Sequence, residues 1–146
     1  MRSSGNPLWI WQHHRILPSI LSEAGQLLAE ITGELHHRGW SERDVFAIQL
    51  AVEEALVNAI KHGNRNDPAK TVTVTCWLSQ DLFRIEIEDQ GEGFDPDAVP
   101  DPTSPERLEE PTGRGIMLMR TFMSKVAYNS KGNGVVLEKR RSGSAV

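Results

Sequence analysis

A two-layer α/β (α+β) sandwich, in which a mostly antiparallel mixed sheet carries its helices on one face, is the fold this sequence predicts. Three observations lead there. The apolar residues change period in the order strand, two helices, hairpin, loop, helix, hairpin. The connections inside both hairpins are too short for parallel crossovers. Finally, 146 residues, 38% hydrophobic and 25% charged, supply one core of ordinary size and too little for two. Residues 1–146 therefore read as a single domain, with its core at about 9–140.

The elements follow in order. Residues 8–16 alternate, with Trp9 and Trp11 on one side and Leu8, Ile10 and Ile16 on the other, as a strand does. Pro18 stands where a helix can begin, and Ile20, Leu21, Ala24, Leu27, Leu28, Ile31 and Leu35 keep helical spacing until Gly39. Ser41 with Asp44 three residues on resembles a capping box. It starts a second helix striped by Val45, Ile48, Val52, Leu56, Ala59 and Ile60, ending near Gly63. A polar turn at 63–68 leads to strands at 71–78 and 82–89, joined through Ser79-Gln80-Asp81. Cys76 falls in the alternation and reads as core packing. From 91 to 111 periodicity disappears among prolines and acids, the signature of a long loop. Gly113-Arg114-Gly115 then opens a third helix at 116–123, and strands at 125–129 and 135–140 close a second hairpin around Lys131-Gly132-Asn133-Gly134. The basic run Lys139-Arg140-Arg141 reads as solvated.

Charge excludes some partners. With 16 Lys+Arg against 20 Asp+Glu, a formal charge of -4, the chain lacks the footprint of a nucleic-acid or anionic-membrane binder. The longest apolar stretch, 46–60, is broken by Gln49, Glu53, Glu54 and Asn58, so no bilayer span is expected. No signal-peptide pattern stands near the first residues, and a cytoplasmic location is expected.

Three constellations carry candidate chemistry. Glu54 and Asn58, four residues apart, stand one above the other on a helix face. A neutral amide oxygen suits magnesium, and a neighbouring carboxylate can take a hydroxyl proton. The same spacing is also that of the wet side of an amphipathic helix. Asp89-Gln90-Gly91-Glu92-Gly93 ends a strand; its glycines let a flat ligand approach, and a fixed carboxylate can accept a bond from an exocyclic amine. An Asx turn would read identically. Gly113-Arg114-Gly115 precedes a helix, where free amides suit phosphate, but by itself a Gly-x-Gly is a weak signal and neither a Rossmann fingerprint nor a Walker loop is present. The pairs His13-His14 and His36-His37 point in different directions and chelate poorly together.

Order and spacing together resemble the GHKL ATPase superfamily with its Bergerat nucleotide-binding fold. Within it, Ala51-Val52-Glu53-Glu54-Ala55-Leu56-Val57-Asn58-Ala59-Ile60-Lys61-His62-Gly63 is similar to the asparagine box of bacterial anti-sigma factor serine kinases. The resemblance implies ATP and Mg2+ as ligands, Glu54 as general base and Asn58 as magnesium ligand. It implies Asp89 as the carboxylate that reads adenine, with Gly91 and Gly93 lining the pocket. Gly113, Arg114 and Gly115 match the second glycine box beside the phosphates, beneath a lid at 94–112 in which Arg107 is the only basic residue between the ends. His62, one turn beyond Asn58, borders the phosphates or simply caps the helix dipole. The implied activity is transfer of the γ-phosphate to a serine of a small STAS-like anti-sigma factor antagonist, by a kinase that also holds a sigma factor, commonly as a homodimer. Ser124 and Asn133 depart from the family pattern, which commonly has an acid and a threonine there. Rival readings are a non-catalytic switch that uses ATP to set its grip on a partner, and a detached histidine kinase ATP-binding domain.

Overall fold

The structure, a computed structural model, describes residues 8–93 and 111–143, with the backbone alone over 111–114. Along the chain run β1 (Trp11–Pro18), α1 (Leu21–His37), α2 (Glu42–Val57), a π-helical turn (Asn58–Gly63), β2 (Thr71–Leu78), β3 (Leu82–Glu88), α3 (Pro111–Phe122), β4 (Lys125–Tyr128) and β5 (Gly134–Arg140). The strands form one sheet in the order β1-β2-β3-β5-β4.

Every neighbouring pair of these strands is antiparallel, so the expected mixed sheet is corrected. The connections explain it. After β1 the chain runs back along α1 and forward along α2, so β2 starts beside the end of β1, with Pro18 opposite Thr71. β4 runs in the direction of β3 but lies outside β5, which separates them.

Alternation decides the layers. Val72, Val74, Cys76 and Leu78 of β2, with Phe83, Ile85 and Ile87 of β3, join one buried cluster with Leu27, Ile31 and Leu35 of α1 and Ile48, Val52 and Leu56 of α2. The helices thus cover one face, as expected. Burial pushes the Cys76 thiol up to about 12, with the charge of Glu30 adding to the effect, which leaves it as packing material. On the other face Arg84 lies 5.6 Å over the Trp77 ring and bonds Glu86 and Glu138 at 2.8 Å. Among the described residues no helix is long and apolar enough to cross a membrane.

Several local expectations fail for identifiable reasons. β1 begins at Trp11, and the two tryptophans part company. Trp9 pairs with Trp77 at 6.0 Å on the open face, whereas Trp11 stacks on His13 at 5.6 Å and packs against the core. Pro18 ends β1 rather than opening a helix; Ile20 is the extended residue before α1, and the Ser19 hydroxyl donates to Lys70 O. Ser41 does cap α2, accepting from Asp44 N at 3.1 Å, a contact worth about 1 kcal/mol. Asp44 does not complete the box: its buried carboxylate accepts from Ser142 N at 2.8 Å and from the Ser142 hydroxyl. The basic run is likewise not simply solvated, since Arg141 lies 5.2 Å over the Trp40 ring and bonds Gly39 O at 2.8 Å. Gly113 and Gly115 sit within the first turns of α3, which starts at Pro111 because proline's missing N–H costs nothing at a helix start.

The adjacent histidines separate as strand and helix geometry requires. His13 Nε2 lies 3.1 Å from Glu30, while His14 Nδ1 and Thr75 Oγ1 are 2.8 Å apart across the open face.

Candidate functional site

The buried stripe of α2 runs through Ile48, Ala51, Val52, Ala55 and Leu56, which leaves Glu54 and Asn58 half-buried at the helix edge. α3 comes down on that edge. A Cβ added at Gly115 would collide with Glu54 Oε2 and come within 2.9 Å of Asn58 Nδ2. With glycine there, the α3 backbone lies against the ends of the Glu54 and Asn58 side chains, which a Cβ would push aside. Two motifs sixty residues apart are thereby brought into one place.

Their electrostatics differ from those of a solvated helix side. Burial pushes the Glu54 carboxyl up, opposed by the side-chain hydrogen bond from Asn58 and the charge of His62, with Glu53 adding to the rise. A carboxylate raised in this way holds a proton better and is a better base. Asn58 spends its Nδ2 on Glu54, while its Oδ1 is buried with no hydrogen-bond partner among the described residues. An orphaned amide oxygen is costly unless something takes its lone pairs. A hard divalent cation would do so, hence the donor set fits magnesium. His62 is exposed on the π turn, close enough for its charge to act on Glu54.

The second cluster lies past the end of β3. Gly91 N donates to Asp89 Oδ1 at 2.7 Å, so the segment is an Asx turn as well as a candidate site. A Cβ at Gly63 would come within 2.7 Å of Asp89 Oδ1, and one at Gly91 would press on the Gly63 carbonyl. Gly93 has φ +83°, and a side chain there would meet the Lys131 carbonyl. Burial pushes the Asp89 carboxyl up, against the pull of the Gly91 N–H; Glu88 adds to the rise while Lys131 and Lys70 oppose it. Asn133, where the sequence departs from the family pattern, grips this turn: its carbonyl accepts from Asp89 N and its Nδ2 donates to Asp89 O, both at 2.9 Å. Ser124 instead serves the sheet edge, its hydroxyl accepting from Arg140 N at 2.8 Å.

The Gly113-Arg114 backbone lies in the first turn of α3, where helix amides lack internal partners. The Arg114 side chain, Arg107 and residues 94–110 of the expected lid lie outside the described residues. Sequence reasoning missed Asn64, fully buried at 0% exposure, together with its partners Ser19 and Gln90. No periodicity marks a single buried amide inside a polar turn. The π turn was missed too, because Ala59 and Ile60 follow Leu56 at ordinary helical spacing, so the apolar pattern does not mark the wider turn.

Comparison with known proteins identifies the family and the fold. Residues 17–139 match the family described as the histidine kinase-like ATPase domain. The anti-sigma F factor of Oceanobacillus iheyensis is 37% identical over 101 residues, covering 65% of this chain and 68% of that protein. The serine-protein kinase RsbW of Bacillus velezensis is 27% identical over 138 residues, covering 89% and 86%. Among solved structures, that of the RsbU and RsbW domains of Rv1364c from Mycobacterium tuberculosis aligns with a TM-score of 0.61 at 17% identity. The alignment covers 90% of this chain and 32% of that one. That likeness concerns the fold.

Proposed function

The chain belongs to the histidine kinase-like ATPase domain family, and from that premise we propose that it is an anti-sigma factor serine kinase. It binds Mg-ATP and phosphorylates a serine of a small STAS-like antagonist, and it holds a sigma factor when the antagonist is absent. The observation that carries this reading is Gly115 seated on Glu54 and on an Asn58 whose buried Oδ1 has no hydrogen-bond partner among the described residues. The printed names of the relatives, serine-protein kinase and anti-sigma F factor, support the choice of reaction and partner.

Roles follow from position. Asp89 accepts a bond from the exocyclic amine of adenine, with Gly63, Gly91 and Gly93 keeping side chains out of the ring's way. Gly113 and Gly115 leave the α3 backbone free to meet phosphate, and the family resemblance gives Arg114 and Arg107, whose side chains lie outside the described residues, the role of added positive charge. Asn58 Oδ1 would hold magnesium, which neutralises phosphate charge when bound. His62 borders the phosphates. The serine Oγ attacks the γ-phosphorus, Glu54 takes the hydroxyl proton, and the bond from that phosphorus to the bridging oxygen breaks as ADP leaves. Positioning does most of the work, since such a transfer needs little covalent help. The chain acts as one ATP-binding unit in the cytoplasm, with no nucleic acid or membrane partner.

The test is transfer of label from γ-labelled ATP to candidate antagonists. Phosphoserine on one of them is expected, in a magnesium-dependent reaction. Stoichiometric ATP binding without transfer to any would favour the non-catalytic switch instead.

A homodimer is also part of this reading. β1 is an edge strand; Ile16 on it is 61% exposed and Ile10, just before it, 48%, an apolar edge that a second copy can pair. Light scattering at micromolar concentration should give twice the chain mass; a monomer there removes the dimer.

A further inference from the structure

Asn64 has no surface at all, and a buried amide is tolerated only when each of its polar atoms is met. Here they are met by three separate segments. Nδ2 donates to Ser19 Oγ, just past β1, and to Thr71 O, at the start of β2, both at 2.9 Å. Oδ1 accepts from Gln90 N, in the Asp89 turn, at 2.8 Å. The outer partners are themselves tied: Ser19 Oγ donates to Lys70 O at 2.8 Å, and Gln90 Oε1 accepts from Thr71 N at 2.7 Å.

The backbone around Asn64 is unusual in the same place. Asn64 N reaches back to Ala59 O and Asn66 N to Ile60 O, both at 2.8 Å, which is wider than the α-helical repeat. Arg65 and Asn66 follow with φ 53° and 59°, the left-handed region that non-glycine residues seldom occupy. The chain leaving the asparagine box is thus bent into an unfavourable course, and Asn64 is the side chain that fixes it. The bend presses the Gly63 carbonyl against Gly91 and sets Gly63 against the Asp89 carboxylate. Among the described residues, the bond from Gln90 N to Asn64 Oδ1 is the hydrogen bond that joins the Asp89 turn to the π turn carrying Asn58.

We infer that Asn64 is a positioning and specificity-determining residue: it sets where Asp89 stands relative to the asparagine box, and so how well the site tells adenine from guanine. The inference rests on the reading of the site as an ATP site. An acid at this position has no donors for Ser19 and Thr71, and an apolar residue has no acceptor for Gln90, so an amide is the group the three segments require.

The experiment is calorimetry of ATP and GTP with magnesium on wild type, Asn64→Ala and Ser19→Ala, alongside thermal unfolding. Ser19→Ala is the control, because it loosens the same network while leaving the Asn64 bond to Gln90 in place. Expected is a preference for ATP over GTP that falls about tenfold in Asn64→Ala, the worth of one hydrogen bond, with Ser19→Ala less stable but unchanged in preference. If Asn64→Ala does not fold, Asn64→Ser, which cannot reach all three segments, carries the same expectation. A folded Asn64 variant with the wild-type preference, or an equal loss in Ser19→Ala, overturns the inference, as does failure of both Asn64 variants to fold. Wild type that binds neither nucleotide fails the ATP reading itself, a result distinct from any of these.

Discussion

Glu54→Gln should reduce phosphoryl transfer by about 10²-fold or more while leaving ATP affinity near that of the wild type. Glutamine has the shape of glutamate and still accepts the Asn58 amide, so the contact between α2 and α3 at Gly115 survives. What disappears is the proton acceptor. Burial raises the Glu54 pKa, so wild-type activity should climb as pH rises through that raised value and fall toward the ordinary carboxylate range, where the group is protonated. The mutant should lose that acid limb. Stability runs the opposite way: a carboxyl with a raised folded pKa favours the fold most at low pH and loses that contribution as pH rises through the folded pKa. Glu54→Gln should therefore unfold at a higher temperature than wild type at neutral pH, with the gap closing on acidification. Single-turnover transfer, calorimetry and thermal unfolding across pH check all three. A mutant that transfers at the wild-type rate excludes Glu54 as base.

Periodicity explains which parts of the structure were legible beforehand. β2, β3 and the apolar stripes of α1 and α2 follow from alternation at two and at three to four residues, because burial of one face dictates both. The pairing of Glu54 with Asn58 was legible as spacing, and the second glycine box as a motif. Their meeting in one site was implied by the family resemblance alone, because a long-range contact leaves no local signature. The same lack of a signature holds for Asp44 and Ser142, for Arg141 and Trp40, and for Asn64, where a polar residue in a polar stretch is buried by partners tens of residues away. Pro18 misled because proline suits both a helix start and the end of an edge strand. Trp9 misled because alternation was extended past the point where β1 begins.

The strongest ligand effect should come from Asn58. The chain carries a formal charge of -4, and Glu53, Glu54, Glu88, Asp89 and Glu92 lie on the two segments that frame the site. A nucleotide with several negative charges is repelled there unless a cation bridges the two. Wild type should therefore bind ATP with magnesium and show negligible affinity in chelator. Asn58→Ala removes the buried Oδ1 and should weaken magnesium-dependent binding by more than about tenfold, since even loss of a residue that only supports a metal ligand costs that much. It also removes the hydrogen bond that holds the Glu54 pKa down, so residual activity should need a higher pH than in wild type. The two effects separate a ligand from a merely structural asparagine, which would lower the unfolding temperature without moving either the magnesium dependence or the pH profile. Tight ATP binding in chelator would remove the metal role of Asn58 and leave its orphaned oxygen to be satisfied by the nucleotide directly.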